Sequence, residues 1–92
     1  MKVFFKKSFL KDFQKLPEEI KKETREICVF IFPEIKDLRE FQIYPIKKLK
    51  GFKDYYRIKV RNFRIGFKKK DNEIVFMKVL HRKDIYRYFP KK

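Results

Sequence analysis

Two glycines, one serine, one histidine and one cysteine are all that this 92-residue chain offers of the residue types on which most catalytic motifs are built. So few glycines exclude a Gly-rich phosphate loop. The one serine, Ser8, is the expected N-cap of a helix, which leaves Ser-His-Asp chemistry without a nucleophile. The lone Cys28 excludes an internal disulfide, and no cysteine–histidine pair has zinc spacing. Cys28 falls among the apolar positions of a predicted helix and is read as a core residue. Carboxylates are scarce in the C-terminal half, where only Asp54, Asp71, Glu73 and Asp84 occur, three of them at predicted turns. No metal site and no cofactor are therefore expected. Long apolar runs are missing as well. No stretch reaches the length of a membrane span, and Lys2, Lys6 and Lys7 are not followed by the apolar segment of a signal peptide. The expectation is a cytoplasmic protein.

Positive charge is what the chain has in excess. The net charge is +15, and it is unevenly placed. Residues 1–46 carry 10 basic and 8 acidic side chains, a net of +2, whereas residues 47–92 carry 17 basic and 4 acidic, a net of +13. Charge confined to one half points to a polyanionic partner, nucleic acid above all. Anionic membrane is the rival polyanion, but the basic half holds no basic amphipathic helix with bulky apolar anchors, so no membrane partner is expected. Hydrophobic residues at 43%, with twelve Phe, are enough for one core, and residues 1–92 are read as a single domain.

The basic half is built on alternation. In Tyr55-Tyr56-Arg57-Ile58-Lys59-Val60 the apolar Tyr56, Ile58 and Val60 point one way from an extended chain, and Arg57, Lys59 and Arg61 the other. Phe63, Ile65 and Phe67 repeat the apolar side, with Arg64 and Lys68 opposite. Two such strands make a sheet with one greasy and one cationic face. Arg61-Asn62 is the turn between them, with Asn as the residue suited to a positive φ. Lys70-Asp71-Asn72 forms the next turn, and residues 74–80, nearly continuously apolar, form a strand covered on much of both faces, with Lys78 on the face of Ile74 and Phe76.

Ahead of this meander, residues 2–5 read as a short strand. Phe9, Leu10, Phe13 and Leu16 lie on one helical stripe. Pro17 is expected at the first position of a second helix, with Glu18 and Glu19 in its positive first turn. Ile20, Thr24, Ile27, Cys28 and Ile31 recur at helical spacing, and Pro33 is expected to stop the pattern near Phe32. Residues 33–54 read as a loop tied to the core by Leu38, Phe41, Ile43 and Ile46, with Lys47, Lys48, Lys50 and Lys53 clustered before the first basic strand. Residues 84–89 form a short helical turn ended by Pro90. The fold class is α+β: an N-terminal strand, an antiparallel two-helix hairpin, a three-stranded antiparallel meander and a short C-terminal helical turn.

Arg, Lys and Tyr are what remains for chemistry, and they suffice for one reaction. RNA carries its own nucleophile, the 2′-hydroxyl. Cleavage needs that hydroxyl aligned with the phosphate, donors for the developing charge, and groups that take and give a proton. Guanidinium groups stabilise the charge. A lysine among arginines has its neutral form favoured, and Lys59, between Arg57 and Arg61, is such a lysine.

Lys48-Leu49-Lys50-Gly51, Tyr56-Arg57-Ile58-Lys59-Val60, Phe63-Arg64-Ile65 and Val79-Leu80-His81-Arg82-Lys83-Asp84-Ile85-Tyr86, in that order, resemble the RelE/ParE superfamily of toxin–antitoxin toxins, and most nearly its RelE branch. The resemblance covers nearly the whole chain. It implies a RelE-like fold and a metal-independent endoribonuclease that cuts messenger RNA on the ribosome. It also implies the catalytic residues: Lys59 as general base, Arg64 on the phosphorane, Arg82 as acid-side donor or clamp, Arg57 on the backbone and Tyr86 against the cleaved nucleotide. Lys48, Lys50, Arg61, Lys68, Lys78, His81 and Lys83 are candidate RNA contacts, His81 being more readily a structural residue. The implied partners are the ribosome, its message and an acidic antitoxin in a heteromeric complex. Two departures from the family pattern stand out: Arg57 where a lysine is common, and Arg61 where a glycine often turns the hairpin. A non-enzymatic gyrase poison of the ParE kind and a plain nucleic-acid-binding module are the alternative readings.

Overall fold

Alternation in the basic half becomes sheet, and helical spacing in the first third becomes helix, in a computed structural model that describes residues 1–90. The elements are β1 (Lys2–Phe5), α1 (Lys7–Gln14), α2 (Glu18–Arg25), β2 (Ile46–Lys48), β3 (Tyr55–Val60), β4 (Phe63–Lys70), β5 (Glu73–His81) and α3 (Ile85–Tyr88). They form a sheet in the order β1-β5-β4-β3-β2, with β1 parallel to β5 and the other neighbours antiparallel. The expected meander β3-β4-β5 is its centre. Strand β2 is an addition: it falls inside residues 33–54, read above as loop, and three residues are too few to show a period of two.

One face of the sheet carries the core. Ile58, Val60, Ile65, Phe67, Ile74, Phe76 and Val79 are buried there with Phe9, Leu16, Ile20, Ile27 and Cys28 of the helical segment. Phe32 sits among three rings, 5.3 Å from Phe41, 5.5 Å from Phe67 and 5.3 Å from Phe76. Burial also pushes the Cys28 thiol pKa well up, in keeping with a packing role. Leu10 and Ile43, expected on the apolar side, are exposed instead. The helical backbone also outlasts its expected stop: α2 leads into a π-helical turn, Glu26–Ile31, and a 3-10 turn, Phe32–Glu34. Pro33 stands in the short 3-10 segment, and the helical backbone ends two residues later, at extended Ile35.

The N-termini of the helices differ from expectation by one or two residues. Pro17 occupies the N-cap of α2, ahead of Glu18 and Glu19 in the first turn. Ser8 is not the cap of α1, whose N-cap is Lys6. The Ser8 hydroxyl donates instead to the Met77 carbonyl at 2.7 Å. The physical reason lies in the sheet. Strand β1 covers β5 only as far as the Phe5–Phe76 pair, so beyond it the backbone of β5 needs other partners. Ser8 and Asp12, one helical turn apart on α1, supply them: the Val79 N–H donates to the Asp12 carboxylate at 3.1 Å.

Two irregularities in the meander decide which side chains reach which face. In both hairpins the left-handed residue comes first, Arg61 at φ 55° and Asp71 at φ 54°, so the positive φ expected of Asn62 falls on Arg61. Between β4 and β5 the pairing steps from Gly66–Lys78 to Phe67–Phe76, leaving Met77 as an extra residue on β5. This bulge turns Lys78 to the face opposite Ile74 and Phe76, where a strict alternation would have left it beside them.

Asp12 is therefore both an acceptor for the edge of β5 and the partner of Lys78, whose ammonium lies 3.1 Å away. Asp12→Ala would leave a shielded N–H without its acceptor and a largely buried ammonium without its acid. The expected loss is about 2 kcal/mol, read as a lower urea midpoint. An unchanged midpoint would mean that water replaces the carboxylate at no cost.

Candidate nucleic-acid interface

The face of the sheet away from α1 and α2 collects the cations. Register places Lys47, Arg57, Gly66 and Lys78 in one row across four strands, and Lys59, Arg64 and Leu80 in the next. Directly opposed residues have Cβ atoms about 5 Å apart, so Lys59 and Arg64 are immediate neighbours. Lys59 is exposed, whereas Arg64 retains only 9% of its surface.

Two backbone carbonyls hold Arg64. Its Nη1 donates to the carbonyls of Arg61 at 2.9 Å and Phe63 at 3.0 Å. Burial lowers its pKa from the ordinary arginine value; the charges of Arg57 and Arg82 act in the same direction, and Tyr86 acts against them. The same interactions show what surrounds it: Arg57, Arg82 and Tyr86. Arg57 is half-buried, and its Nη1 is a buried donor with no hydrogen-bond partner. Among the described residues no ion pair engages Arg57, Lys59, Arg64 or Arg82.

The chain after β5 brings the last two residues to this cluster. The Arg82 N–H donates to the Asn62 carbonyl at 2.8 Å, joining the end of β5 to the β3–β4 turn, and its side chain is exposed. Tyr86, in α3, is 57% exposed. Its neighbours Ile85 and Phe89 are wholly buried, and Phe89 lies against Gly66 on the cationic face. The five expected catalytic residues, Arg57, Lys59, Arg64, Arg82 and Tyr86, thus share one surface.

The expected secondary contacts divide. Lys68 lies on the same face, its ammonium 5.7 Å from the Tyr55 ring, and Lys50 and Lys83 are exposed in turns. Lys78 has the face but not a free charge, since it pairs with Asp12 and lies 5.3 Å from the Tyr88 ring. Lys48 pairs with Tyr56, which stacks on core Phe67, and so belongs to the helix side of the sheet. Lys47, its neighbour, is the cation of β2 that faces Arg57. Sequence reasoning saw the lysine cluster but not the strand that sorts it. His81 packs its ring edge-on to Phe63 at 5.4 Å, and its Nδ1 accepts from the Lys83 N–H at 3.2 Å, a turn-holding role away from Arg64.

Arg61 is the clearest correction. Its left-handed backbone sends the guanidinium toward α2, where Nε lies 3.0 Å from Glu23. Glu23 also accepts from the Tyr44 hydroxyl, and this bond raises the Tyr44 pKa. The cation beside Lys59 is accordingly Arg64. Arg61 contributes its carbonyl to Arg64 and its charge to the helices. Among the described residues no three His, Cys, Asp or Glu side chains gather into a group able to hold a metal ion, and no helix is long and apolar enough to cross a membrane.

Comparison with known proteins gives concordant results. The family described as the ParE toxin of the type II toxin–antitoxin system parDE matches residues 3–86. The chain is 43% identical to Toxin RelE3 of Methanocaldococcus jannaschii over 90 residues, 98% of this chain and 100% of that protein. It superposes with a TM-score of 0.81 and 40% identity on a chain of the RelB–RelE antitoxin–toxin complex from Methanococcus jannaschii, covering 96% of this chain and 100% of that one. For an archaeal RelE–RelB complex from Pyrococcus horikoshii OT3 the TM-score is 0.59 at 25% identity, with 88% and 93% covered.

A guanidinium held beside other cations with no acid paired to it disfavours the folded state. Replacing it with an apolar side chain of similar length, Arg64→Met, is expected to raise stability by about 1 kcal/mol, more in low salt than in high. Urea titrations at two ionic strengths measure this. A loss of stability would show Arg64 to be a structural brace.

Proposed function

The chain belongs to the RelE/ParE superfamily of type II toxin–antitoxin toxins, in its RelE branch, and on that footing we propose that it is a metal-independent endoribonuclease that cuts messenger RNA on the ribosome, in the cytoplasm, until an antitoxin neutralises it. The observation that carries this reading is the cluster of Arg57, Arg64, Arg82 and Tyr86, with Lys59 in register beside Arg64 and no acid paired to any of the cations. Such a surface fits a phosphodiester that gains negative charge as it reacts.

In the proposed reaction the 2′-oxygen of RNA attacks the adjacent phosphorus, forming the O2′–P bond and breaking the P–O5′ bond. Lys59, exposed beside the site, takes the 2′-hydroxyl proton. Arg64 receives the charge of the phosphorane; held by two carbonyls, its guanidinium needs no reorganisation as that charge develops. Arg57, with an unanswered donor, binds the neighbouring backbone. Arg82 donates a hydrogen bond to the leaving oxygen, which takes its proton from water. Tyr86, exposed on α3, stacks on the displaced base. Positioning carries much of such a reaction, so RNA held on the ribosome is the better substrate and free RNA is bound but cut slowly. Lys47, Lys50, Lys68 and Lys83 supply the surrounding phosphate contacts.

Two of the similar structures are complexes of RelE with RelB. With net +13 in one half of this chain, an acidic, partly disordered antitoxin that folds over it is the partner expected here. The ParE description of the matching family favours a second reading, binding to gyrase without catalysis. Pulse-labelling of an expressing culture separates the two: the nuclease stops methionine incorporation first, the gyrase poison thymidine incorporation.

The direct test is purified protein on translating ribosomes with primer extension on the message. Arg64→Ala should lower cleavage at least tenfold while the circular dichroism spectrum stays unchanged, and a double Lys59→Ala, Arg64→Ala variant should no longer arrest translation. Full arrest by the double variant would end the nuclease reading.

A further inference from the structure

Of the two glycines in the described chain, only one is explained by its backbone. Gly51 has φ 78°, in the left-handed region, and open space where a Cβ would be. Gly66 is the reverse case. It lies mid-strand in β4 with no positive φ, where glycine weakens a strand. A Cβ on Gly66 would lie 2.6 to 2.7 Å from three carbons of the Phe89 ring, a distance real Cβ atoms do not tolerate. The missing side chain is thus a seat, and Phe89 fills it.

This seat lies inside the cationic face, in the row between Arg57 on β3 and Lys78 on β5. Phe89 is 1% exposed, Ile85 is wholly buried, and the Tyr55 ring meets Phe89 edge-on at 5.6 Å. Lys78, itself fixed by Asp12, holds the Tyr88 ring from the other side. Helix α3 is only four residues long, too short to be stable by itself. Its place is set by Ile85 and Phe89, the buried residues that flank Tyr86. Tyr86 is exposed and next to Arg64.

We propose that Gly66 and Phe89 are positioning residues: the ring seated on the bare backbone of β4 holds α3 so that Tyr86 stands over Arg64. The seat replaces a side chain on the strand that carries Arg64, so the position of Tyr86 is referred to the same rigid element as the guanidinium it works with. This inference rests on the nuclease reading for its kinetic consequence, but the seating itself does not.

Two readouts test it. Trypsin cleavage after Arg87 reports whether α3 is seated, with no need of RNA. Single-turnover cleavage on translating ribosomes reports the consequence. Gly66→Ala should speed cutting after Arg87 at least tenfold and lower the cleavage rate constant at least tenfold, with little change in the half-saturating ribosome concentration. Phe89→Ala removes the ring without a clash and should do the same, which keeps the test valid if Gly66→Ala does not fold. Adding Tyr86→Ala to either variant should cost less than threefold more, because a displaced Tyr86 has little left to contribute. The double variant Gly66→Ala, Phe89→Leu, with a smaller side chain over the new methyl, should recover part of both losses. Unchanged trypsin sensitivity in both single variants would overturn the seat. A loosened tail with wild-type cleavage, or full additivity with Tyr86→Ala, would overturn its role in positioning Tyr86. If the unaltered protein cuts no message, the nuclease reading fails, and the trypsin result still decides whether the seat exists.

Discussion

The candidate site depends on one unfavourable placement, Arg64, a residue nine-tenths buried whose guanidinium has no carboxylate paired to it. A buried charge ordinarily takes an acid beside it. Here its donors go to two carbonyls at the end of the β3–β4 hairpin. Those carbonyls converge because the turn places Arg61 at positive φ, and Glu23 with Tyr44 fastens that residue to α2. An acid in direct contact would make Arg64 more comfortable and would cancel the charge that the proposed reaction draws on. The anchoring acid is displaced by one residue and a backbone carbonyl, so the geometry is fixed while the charge stays uncompensated.

The bulge at Met77 has a matching role on the other side of the site. Without it, Lys78 would point into the core beside Phe76. With it, Val79 keeps the core contact and Lys78 crosses to the cationic face, where Asp12 and the Tyr88 ring engage it. An irregularity that weakens the ladder locally lets one strand serve two faces in succession. The tail packs on the part of that face where Gly66 offers no side chain, so the two deviations from ideal strand chemistry are neighbours in register.

Strand alternation made most of this legible. Arg57, Lys59 and Arg64 were placed on one face by a period of two, and the register bears that arrangement out. What could not be read depends on events without a local signature. A three-residue strand shows no period, so β2 and the orientation of Lys47 against Lys48 were hidden. The turn conformation of Arg61 is a matter of strand twist and of a glutamate 38 residues away, and no pattern around Asn62 announces it. Ser8 looked like a cap because capping is a local rule, whereas its actual partner is the carbonyl of Met77, 69 residues on. The role of Gly66 has the same origin: the strand looked ordinary, and only the returning tail gives the absent side chain a reason.

The division of charge along the chain can be restated in terms of partners. All four acids found in ion pairs among the described residues, Asp12, Glu18, Glu23 and Asp37, come from the nearly neutral first half. Three of the four acids of the basic half sit at turns instead, Asp54 and Asp71 at positive φ and Asp84 at the N-cap position of α3. Two cations of the basic half are answered, Arg61 by Glu23 and Lys78 by Asp12, and in each case a helix reaches across to do it. Both of these pairs fix architecture: one sets the hairpin that holds Arg64, the other the edge of β5. Arg57, Lys59, Arg64 and Arg82 of the open face are in no ion pair among the described residues. Their mutual repulsion opposes folding, and any polyanion bound there relieves it, so a negatively charged partner stabilises this fold by mass action as well as by contact. On the proposed reading, that uncompensated charge is what a phosphodiester answers when it reaches the open face.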